Sequence, residues 1–372
     1  MNMKLALELL RSFAQVEGGG DWHPTKDPLH YALINKRWHL VHPDSRPHEV
    51  PGFNELHNRL GDPEQVRELR VTDRLEKRQR RVPVLRATDD RGHPYVLKGA
   101  EFDAKKRDGT HPLGYPEEVL ETGHQAGEWT TNMLRSMGAP VVPAMRDRVG
   151  WTQESANAAH GKEFFKDDDQ SITLMPLIHP DTDVDRKTAS PWAQRLAGRL
   201  EAGEHLLNAP DRHAGNYVKV PTFGPDGRTE LVKHGIDYEF TGGGNNPYGV
   251  LENLDREGNP HTRRYQDPHQ MARYTVKNAM AGIPTDKPFG KLTHKQKGVV
   301  DALAAFPEAW SEHEIQVPNM GDAYARGYAL AEHLAPEAEY DAEQHPALAN
   351  FHRLRLERDA LESPVKSTTL QK

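Results

Sequence analysis

Two short apolar runs on either side of a Gly-Pro-Asp-Gly segment constrain the fold of this chain more than any other feature. Val218–Val220 and Leu231–Lys233 flank the turn at residues 224–227, and this pattern predicts a β-hairpin. The hairpin would begin directly after Asn216 and end shortly before Asp237. Because the two strands of a hairpin lie side by side, we expect these two polar residues to be neighbours.

A third polar residue, Asp211, precedes Asn216 by five residues. Oxygen atoms of carboxylates and amides are ligands that Mg²⁺ prefers, and phosphoryl transfer needs a carboxylate near the attacking hydroxyl as well as ligands for the metal. Each residue alone has an ordinary alternative, because Asp and Asn are frequent in turns. The ordered set of Asp211, Asn216 and Asp237 favours a site that handles Mg-ATP and a hydroxyl nucleophile.

Residues 211–216, with the sequence Asp-Arg-His-Ala-Gly-Asn, resemble the catalytic loop of the kinases that include the phosphatidylinositol 3-/4-kinases and the HipA-type bacterial kinases. His234–Tyr238 resembles the His-Ile-Asp-Phe segment of the lipid kinases, with one inserted residue. Tyr238 stands where Phe is usual in that superfamily, and Glu239 stands where Gly is usual. The resemblance covers roughly residues 80 to 240.

The resemblance implies a role for each residue of the loop. Asp211 matches the catalytic Asp, which orients or deprotonates the acceptor hydroxyl. Asn216 and Asp237 match the ligands of Mg²⁺. His213 matches a residue that supports the loop and stabilises charge on the transferring phosphoryl group. A loop histidine that is hydrogen-bonded to the backbone is the alternative for His213.

Two upstream segments resemble other parts of the same kinases. Pro94–Lys98 resembles the strand whose Lys contacts the ATP phosphates, and Glu128 matches the helix residue that pairs with this Lys. A solvated lysine at a strand end and a surface glutamate are the alternatives. Met175 and Leu177, where predicted strands give way to predicted helices, are assigned to the nucleotide site as well.

The segment expected to cover the phosphates departs from the kinase pattern. Thr72–Arg81 contains no glycine, so backbone amides cannot approach a phosphate closely there. Its Lys and Arg side chains could bind phosphate by charge, or could form a solvated basic loop. The departure raises two alternatives to kinase activity: transfer of AMP instead of phosphate, or a catalytically inactive pseudokinase that serves as a scaffold.

The chain changes from a strand-rich first half to a helical second half. Residues 82–88 and 95–98 flank a polar loop, which predicts a second hairpin. Residues 116–137 carry apolar side chains at helical spacing and precede Gly138, which predicts one long helix. Further predicted strands are residues 31–34, 38–41, 141–145 and 171–177, and further predicted helices are residues 3–16, 192–207, 267–282, 294–306 and 320–360.

With the resemblance, this order implies an α+β, bilobal, protein-kinase-like fold. We predict an N-terminal extension at residues 1–60, to which we assign no role. A small β-rich lobe with one long helix follows at residues 61–178, and a larger, mainly helical lobe occupies residues 179–372.

The composition of the chain limits the classes of binding partner that we expect. The formal net charge of −7 over 372 residues argues against a general nucleic-acid binder. No apolar run approaches the roughly 20 residues of a membrane span, and Glu8 and Arg11 interrupt the apolar N-terminus too early for a signal peptide. The absence of cysteine excludes disulfides and fits a cytoplasmic location. Residues 252–264 mix acidic and basic side chains, which disfavours a lipid headgroup, so we expect a protein or small-molecule acceptor beside the nucleotide.

Overall fold

The computed structural model describes residues 30–34, 37–41, 53–57, 68–74, 84–89, 92, 94–99, 117–142, 144–146, 150–151, 172–177, 189–209, 214–223, 229–236, 238, 267–313 and 321–362. The predicted helix at residues 3–16 lies outside the described residues. So does most of the glycine-free segment, of which only residues 72–74 are described, as part of a strand.

The described part of the chain mixes strands and helices. The strands are β1 (His30–Ile34), β2 (Arg37–Val41), β3 (Phe53–His57), β4 (Glu68–Arg74), β5 (Val84–Asp89), β6 (Pro94–Gly99), β7 (Met145–Arg146), β8 (Gly150–Trp151), β9 (Ile172–Pro176), β10 (Tyr217–Phe223) and β11 (Thr229–Gly235). The helices are α1 (Glu117–Ser136), α2 (Pro191–Leu206), α3 (Pro268–Ala279), α4 (His294–Glu312), α5 (Gly321–Leu334) and α6 (Pro346–Glu362), with 3₁₀ turns at Ala214–Asn216 and Phe289–Lys291. A mainly antiparallel sheet in the N-terminal part and a mostly helical remainder agree with the predicted α+β class.

One sheet of the described residues has the strand order β7-β9-β6-β5-β4-β8. The predicted hairpin of β5 and β6 is confirmed, with Ala87 opposite Tyr95. Alternate residues of β5 point inwards, since Leu85 and Ala87 are buried while Arg86 is partly exposed. β6 lies between β5 and β9, at the centre of this sheet.

The strand predicted at residues 141–145 is wrong for most of its length. Only Met145–Arg146 pairs within this sheet, and Val141 instead forms an isolated bridge to Gly235. Pro140 and Pro143 flank this part of the segment and have no N–H group, so the segment cannot form a continuous ladder.

A second sheet of the described residues has the order β11-β10-β2-β1-β3. The strands predicted at residues 31–34 and 38–41 are confirmed as β1 and β2, and they pair with each other, with Tyr31 opposite Leu40. β2 also pairs in parallel with β10, where Leu40 lies opposite Thr222. Strands from the N-terminal extension therefore share a sheet with the hairpin of the candidate site.

The long helix α1 ends as its sequence indicates. Gly138 has a φ of +69°, a left-handed conformation that favours glycine. The N–H of Ala139 donates to the carbonyl of Leu134 at 2.9 Å, which closes the helix. The buried side chains of Met133, Leu134 and Met137 belong to the same hydrophobic core as the C-terminal helices.

The helical core is centred on α2 and α4, whose backbones meet at two glycines. A Cβ atom added at Gly198 would lie 1.9 Å from the carbonyl oxygen of Lys295, and one added at Gly298 would lie 1.9 Å from that of Arg195.

The prediction that the helix beginning at residue 294 stops at residue 306 is wrong, because α4 continues through Pro307 to bury Trp310. Residues 320–360 form two helices instead of one. Among the helices that the structure describes, none combines the length and apolar character that crossing a bilayer requires.

Candidate active site

The predicted hairpin is confirmed and fixes the position of Asn216. Strands β10 and β11 pair in antiparallel register, with Tyr217 opposite Gly235. Asn216 is buried in the 3₁₀ turn that precedes β10, and its carbonyl accepts a hydrogen bond from the N–H of Ile236 at 3.0 Å. Ile236 directly precedes Asp237, which itself lies outside the described residues. Asn216 is therefore hydrogen-bonded to the residue next to the second proposed metal ligand.

Helix α2 leads into the loop with the proposed catalytic residues. It ends at Leu206, and Asn208 has a φ of +52°. The N–H of Ala209 donates to the carbonyl of Glu204 at 2.9 Å, which turns the chain away from the helix axis. Asp211 and His213 follow in the sequence and lie outside the described residues, so their roles stay predictions.

The last turn of α2 is bound to both sides of the hairpin through Glu204. The hydroxyl of Tyr217 donates to Oε2 of Glu204 at 2.9 Å, and the hydroxyl of Tyr238 donates to Oε1 at 2.8 Å. Glu204 is only 8% exposed and Tyr238 only 3%. Nζ of Lys233 lies 3.3 Å from the centre of the Tyr217 ring, which adds a cation–π contact on the strand opposite.

The start of α2 is bound to the same hairpin. Ser190 caps the helix, since its hydroxyl accepts a hydrogen bond from the N–H of Ala193 at 3.1 Å. The N–H of Ser190 donates to Oε2 of the buried Glu230 at 2.8 Å, and its hydroxyl also binds this carboxylate. Glu230 lies near the start of β11, so α2 runs along β11 and is bound to the hairpin region at both ends.

A further set of contacts, from the segment that follows α1, holds the end of β11. The N–H of Gly235 donates to the carbonyl of Pro140, and the N–H of Val142 donates to the carbonyl of Gly235, both at 3.0 Å. His234 is fully buried, and its Nδ1 lies 3.1 Å from the carbonyl of Val232. Burial lowers the pKa of His234 to about 3, so this imidazole is neutral at physiological pH.

The proposed nucleotide-binding residues lie on or beside the first sheet. The backbone of Lys98 pairs with Thr173 of β9 near the end of β6. Met175 is half-buried opposite Val96, and the N–H of the buried Leu177 donates to the carbonyl of Pro94 at 3.0 Å. The strand context of the three proposed residues agrees with the sequence prediction, while their contacts with a nucleotide stay predictions.

Glu128 lies half-buried on α1, and the adjacent Trp129 attaches this helix to α4. Nε1 of Trp129 donates to the carbonyl of His313 at 3.0 Å, and the Trp129 ring meets the Trp310 ring edge-on. These contacts fix the part of α1 that carries Glu128. The proposed pairing of Glu128 with Lys98 stays a prediction.

The sequence interpretation missed Glu204 and Tyr217. A signal for Glu204 is present, because the buried Leu200 lies four residues before it on α2 and the buried Leu207 lies three residues after it, at the end of the helix. An acidic residue on an apolar face is rarely buried without a partner, so this position predicts a hydrogen-bonded carboxylate. Tyr238, noted only as a replacement for Phe, provides one of the donors through its added hydroxyl.

The donor set fits Mg²⁺. Asn216 and Asp237 offer amide and carboxylate oxygens, which are hard ligands, and the chain has no cysteine that would favour a softer metal. In the sequence, Asn216 directly precedes β10 and Asp237 follows the end of β11 by two residues.

Comparisons with known proteins do not assign a family. No protein-family model matches the chain, and no curated protein matches it. A MAP kinase from Leishmania major is similar in structure with a TM-score of 0.24 and 12% sequence identity, over 76% of this chain and 83% of the kinase. A TM-score this low does not establish a common fold.

Proposed function

We propose that this chain is an atypical kinase that uses ATP and Mg²⁺ to phosphorylate a hydroxyl group of a protein Ser or Thr or of a small molecule. The proposal includes a bilobal, protein-kinase-like arrangement of residues 61–178 and 179–372, preceded by the extension at residues 1–60. A cytoplasmic location belongs to the proposal, since a chain without cysteine suits a reducing compartment that supplies ATP.

One observation carries the proposal: the hydrogen bond between the Ile236 N–H and the Asn216 carbonyl at the end of the hairpin. It joins Asn216 to the residue that directly precedes Asp237 in the sequence, which supports a metal site shared by Asn216 and Asp237. Asp211 precedes Asn216 by only five residues, and this short sequence separation limits how far apart the two residues can lie.

In the proposed reaction the acceptor oxygen forms a bond to the γ-phosphorus of ATP, while the bond from this phosphorus to the β–γ bridging oxygen breaks and ADP leaves. Asp211 orients the acceptor hydroxyl and receives its proton, and His213 supports the loop. Asn216 and Asp237 would hold Mg²⁺, which, when bound, supplies charge neutralisation on the phosphates.

The remaining residues bind the nucleotide. Lys98, held forward by Glu128, would bind the α- and β-phosphates, and Met175 and Leu177 would contact the nucleotide near the end of β9. Lys98 and the two β9-end residues come from neighbouring strands of one sheet, which supports a shared ligand.

The test is transfer of labelled γ-phosphate from ATP, with autophosphorylation as the readout that needs no known acceptor. We expect the Asp237→Ala protein to lose activity by at least about a hundredfold, because its metal ligand is removed. The matched control is Asp286→Ala, which changes an exposed aspartate far along the chain and leaves activity unchanged. Wild-type activity in a pure, folded Asp237→Ala protein would contradict the assignment.

The absence of glycine from residues 72–81 favours AMP transfer as a second candidate. The intact mass of the modified protein distinguishes the two activities, since one phosphate and one AMP differ greatly in mass.

Thermal unfolding with Mg-ATP tests whether the chain is an inactive scaffold. A protein that binds the nucleotide gains about 2.7 kcal/mol of stability at 100 times its Kd. A missing shift at millimolar Mg-ATP would overturn the kinase proposal and favour the scaffold.

A further inference from the structure

The positions next to the two proposed metal ligands converge on one carboxylate. Tyr217 follows Asn216 in the chain, and Tyr238 follows Asp237. Both hydroxyls donate to Glu204, and each donates to a different carboxylate oxygen, at 2.9 Å and 2.8 Å. We propose that Glu204 is a positioning residue, whose carboxylate holds the Asn216 and Asp237 segments in the relative position that binds Mg²⁺. This inference rests on the proposed function.

The backbone pairing of β10 with β11 comes before Asp237 in the chain, so it anchors only the N-terminal side of this residue. The pairing of β10 and β11 ends with Tyr217 opposite Gly235, and the hydrogen bond of the Ile236 N–H to Asn216 follows it. Asp237 comes next in the sequence. The hydrogen bond of Tyr238 to Glu204 fixes the residue directly after Asp237, so both sequence neighbours of Asp237 are anchored.

Glu204 is itself held by a rigid element. Its helix, α2, is bound to the hairpin region at its start through Ser190 and Glu230. The same helix is packed backbone to backbone against α4 at Gly198. Because its helix is anchored in this way, the Glu204 carboxylate is held in place. A fixed hydrogen-bond acceptor is what the positioning of metal ligands requires.

The inference is tested in the full-length chain by replacing each donor without changing its volume. Tyr217→Phe and Tyr238→Phe each remove one hydroxyl, and Tyr274→Phe is the matched control, because Tyr274 is 58% exposed on α3. For each protein, the rate of γ-phosphate transfer is measured against Mg²⁺ concentration at saturating ATP. Binding of Mg²⁺ with adenylyl imidodiphosphate, a non-hydrolysable ATP analogue, is measured by calorimetry.

We expect each of the first two variants to raise the Mg²⁺ concentration for half-maximal activity by about tenfold, as for other residues that orient a metal ligand. The maximal rate at saturating Mg²⁺ returns to near the wild-type value. Glu204→Gln keeps one carbonyl oxygen that can accept from one hydroxyl, so its Mg²⁺ requirement rises less than that of Glu204→Leu. The Tyr274→Phe protein behaves as the wild type.

An unchanged Mg²⁺ requirement in both Tyr217→Phe and Tyr238→Phe would overturn the inference and leave the proposed function intact. A lower maximal rate with no change in the Mg²⁺ requirement would also overturn it, since that result indicates a structural role only. A wild-type protein that binds the analogue without Mg²⁺ dependence, or does not bind it, would overturn both the inference and the proposed function.

Discussion

Two buried carboxylates that helix α2 contacts or carries are stabilised in different ways. Near the middle of the helix, Arg195 and Arg199 bind Asp301 of α4, which is 1% exposed. Arg195 binds it through two hydrogen bonds, at 2.5 Å and 2.8 Å. In its last turn, Glu204 accepts hydrogen bonds from the neutral hydroxyls of Tyr217 and Tyr238.

The two carboxylates therefore differ in their inferred roles: Asp301 supports the helical core, and Glu204 supports the candidate site. Burial alone would raise the pKa of Asp301, but the charges and hydrogen bonds of Arg199 and Arg195 hold it below its usual value. This network joins two helices and lies in the helical core. The Glu204 contacts join a helix to the residues next to the proposed metal ligands. We therefore expect changes at Asp301 to affect stability, and changes around Glu204 to affect function.

The largest predicted effect comes from breaking the Asp301 network. Asp301→Asn leaves two guanidinium groups against a neutral amide, and removal of one partner from a buried ion pair costs about 3–5 kcal/mol. The free energy of unfolding, measured in urea, should fall by this amount, while the Mg²⁺ requirement of the remaining folded protein stays unchanged. Asp286→Asn, at an exposed aspartate, is the control. A loss below about 1 kcal/mol would mean that the arginines find other partners.

The junction of α2 and α4 can also be broken without changing a charge. Gly198→Ala puts a methyl group 1.9 Å from the Lys295 carbonyl oxygen, so the two helices must separate. We expect a loss of about 1–3 kcal/mol in the free energy of unfolding. Gly282→Ala is the control, since no atom lies within 4 Å of its added Cβ, and we expect it to be neutral or stabilising by about 0.4–1 kcal/mol. Equal effects of the two substitutions would contradict the close crossing.

Several elements of the fold are predictable from sequence, because the residues that determine them are close together in the chain. Apolar residues at Val218–Val220 and Leu231–Lys233 define the β10–β11 hairpin, and Gly138 marks the end of α1. The pairing of Leu40 with Thr222 has no such signal, since a strand edge does not encode a partner that is distant in the sequence. The extension therefore could not be placed in the second sheet from sequence alone.

The candidate site is predictable to a similar extent. The motif and the hairpin predict that Asn216 lies beside the Asp237 segment, and the Ile236 hydrogen bond agrees with this. Glu204 and Asp301 were missed, because acidic residues in helices usually face solvent, and their partners become visible only when helices pack. The roles of Asp211 and Lys98 depend on side-chain positions that a motif alone does not give.

A pH titration distinguishes the two regions, because a buried group in each region titrates in a different pH range. The pKa of His234, beside the candidate site, is lowered by burial to about 3 from a usual value of 6.5. The unfolded chain therefore binds this proton first, and stability is lost as the pH falls below about 6.5, with a loss of about 2 kcal/mol at pH 5. The pKa of Asp301 is lowered from 3.8, so its contribution is complete above that pH and is lost only in stronger acid.

The measurement is the free energy of unfolding from pH 7 to pH 5 in the wild type and in His234→Gln. The variant should show a shallower decrease, although its stability at pH 7 is lower. Desolvation also lowers the pKa values of four other histidines, so part of the decrease remains; these are His205, His313, His333 and His352. The same decrease in both proteins would contradict the burial of a neutral His234.

The smallest predicted effect concerns the residue that ends α2 just after Glu204. Asn208 has a φ of +52°, where a side chain costs free energy, although Asn tolerates this region better than most residues. Asn208→Gly should raise the free energy of unfolding by a few tenths of a kcal/mol to about 1 kcal/mol, because glycine adopts the left-handed conformation without steric cost. Urea unfolding with several repeats resolves a change of this size.

The reverse substitution at the end of α1 is the control for this prediction. Gly138 also has a positive φ, but a Cβ atom there would lie 2.6 Å from Nη1 of Arg199. Gly138→Asn should therefore cost more than Asn208→Gly gains, because it adds a steric conflict with one of the arginines that bind Asp301. If Asn208→Gly is destabilising instead, the Asn208 side chain must make a contact that offsets its backbone strain. The Glu204 end of α2 would then depend on a side-chain contact as well as on backbone geometry.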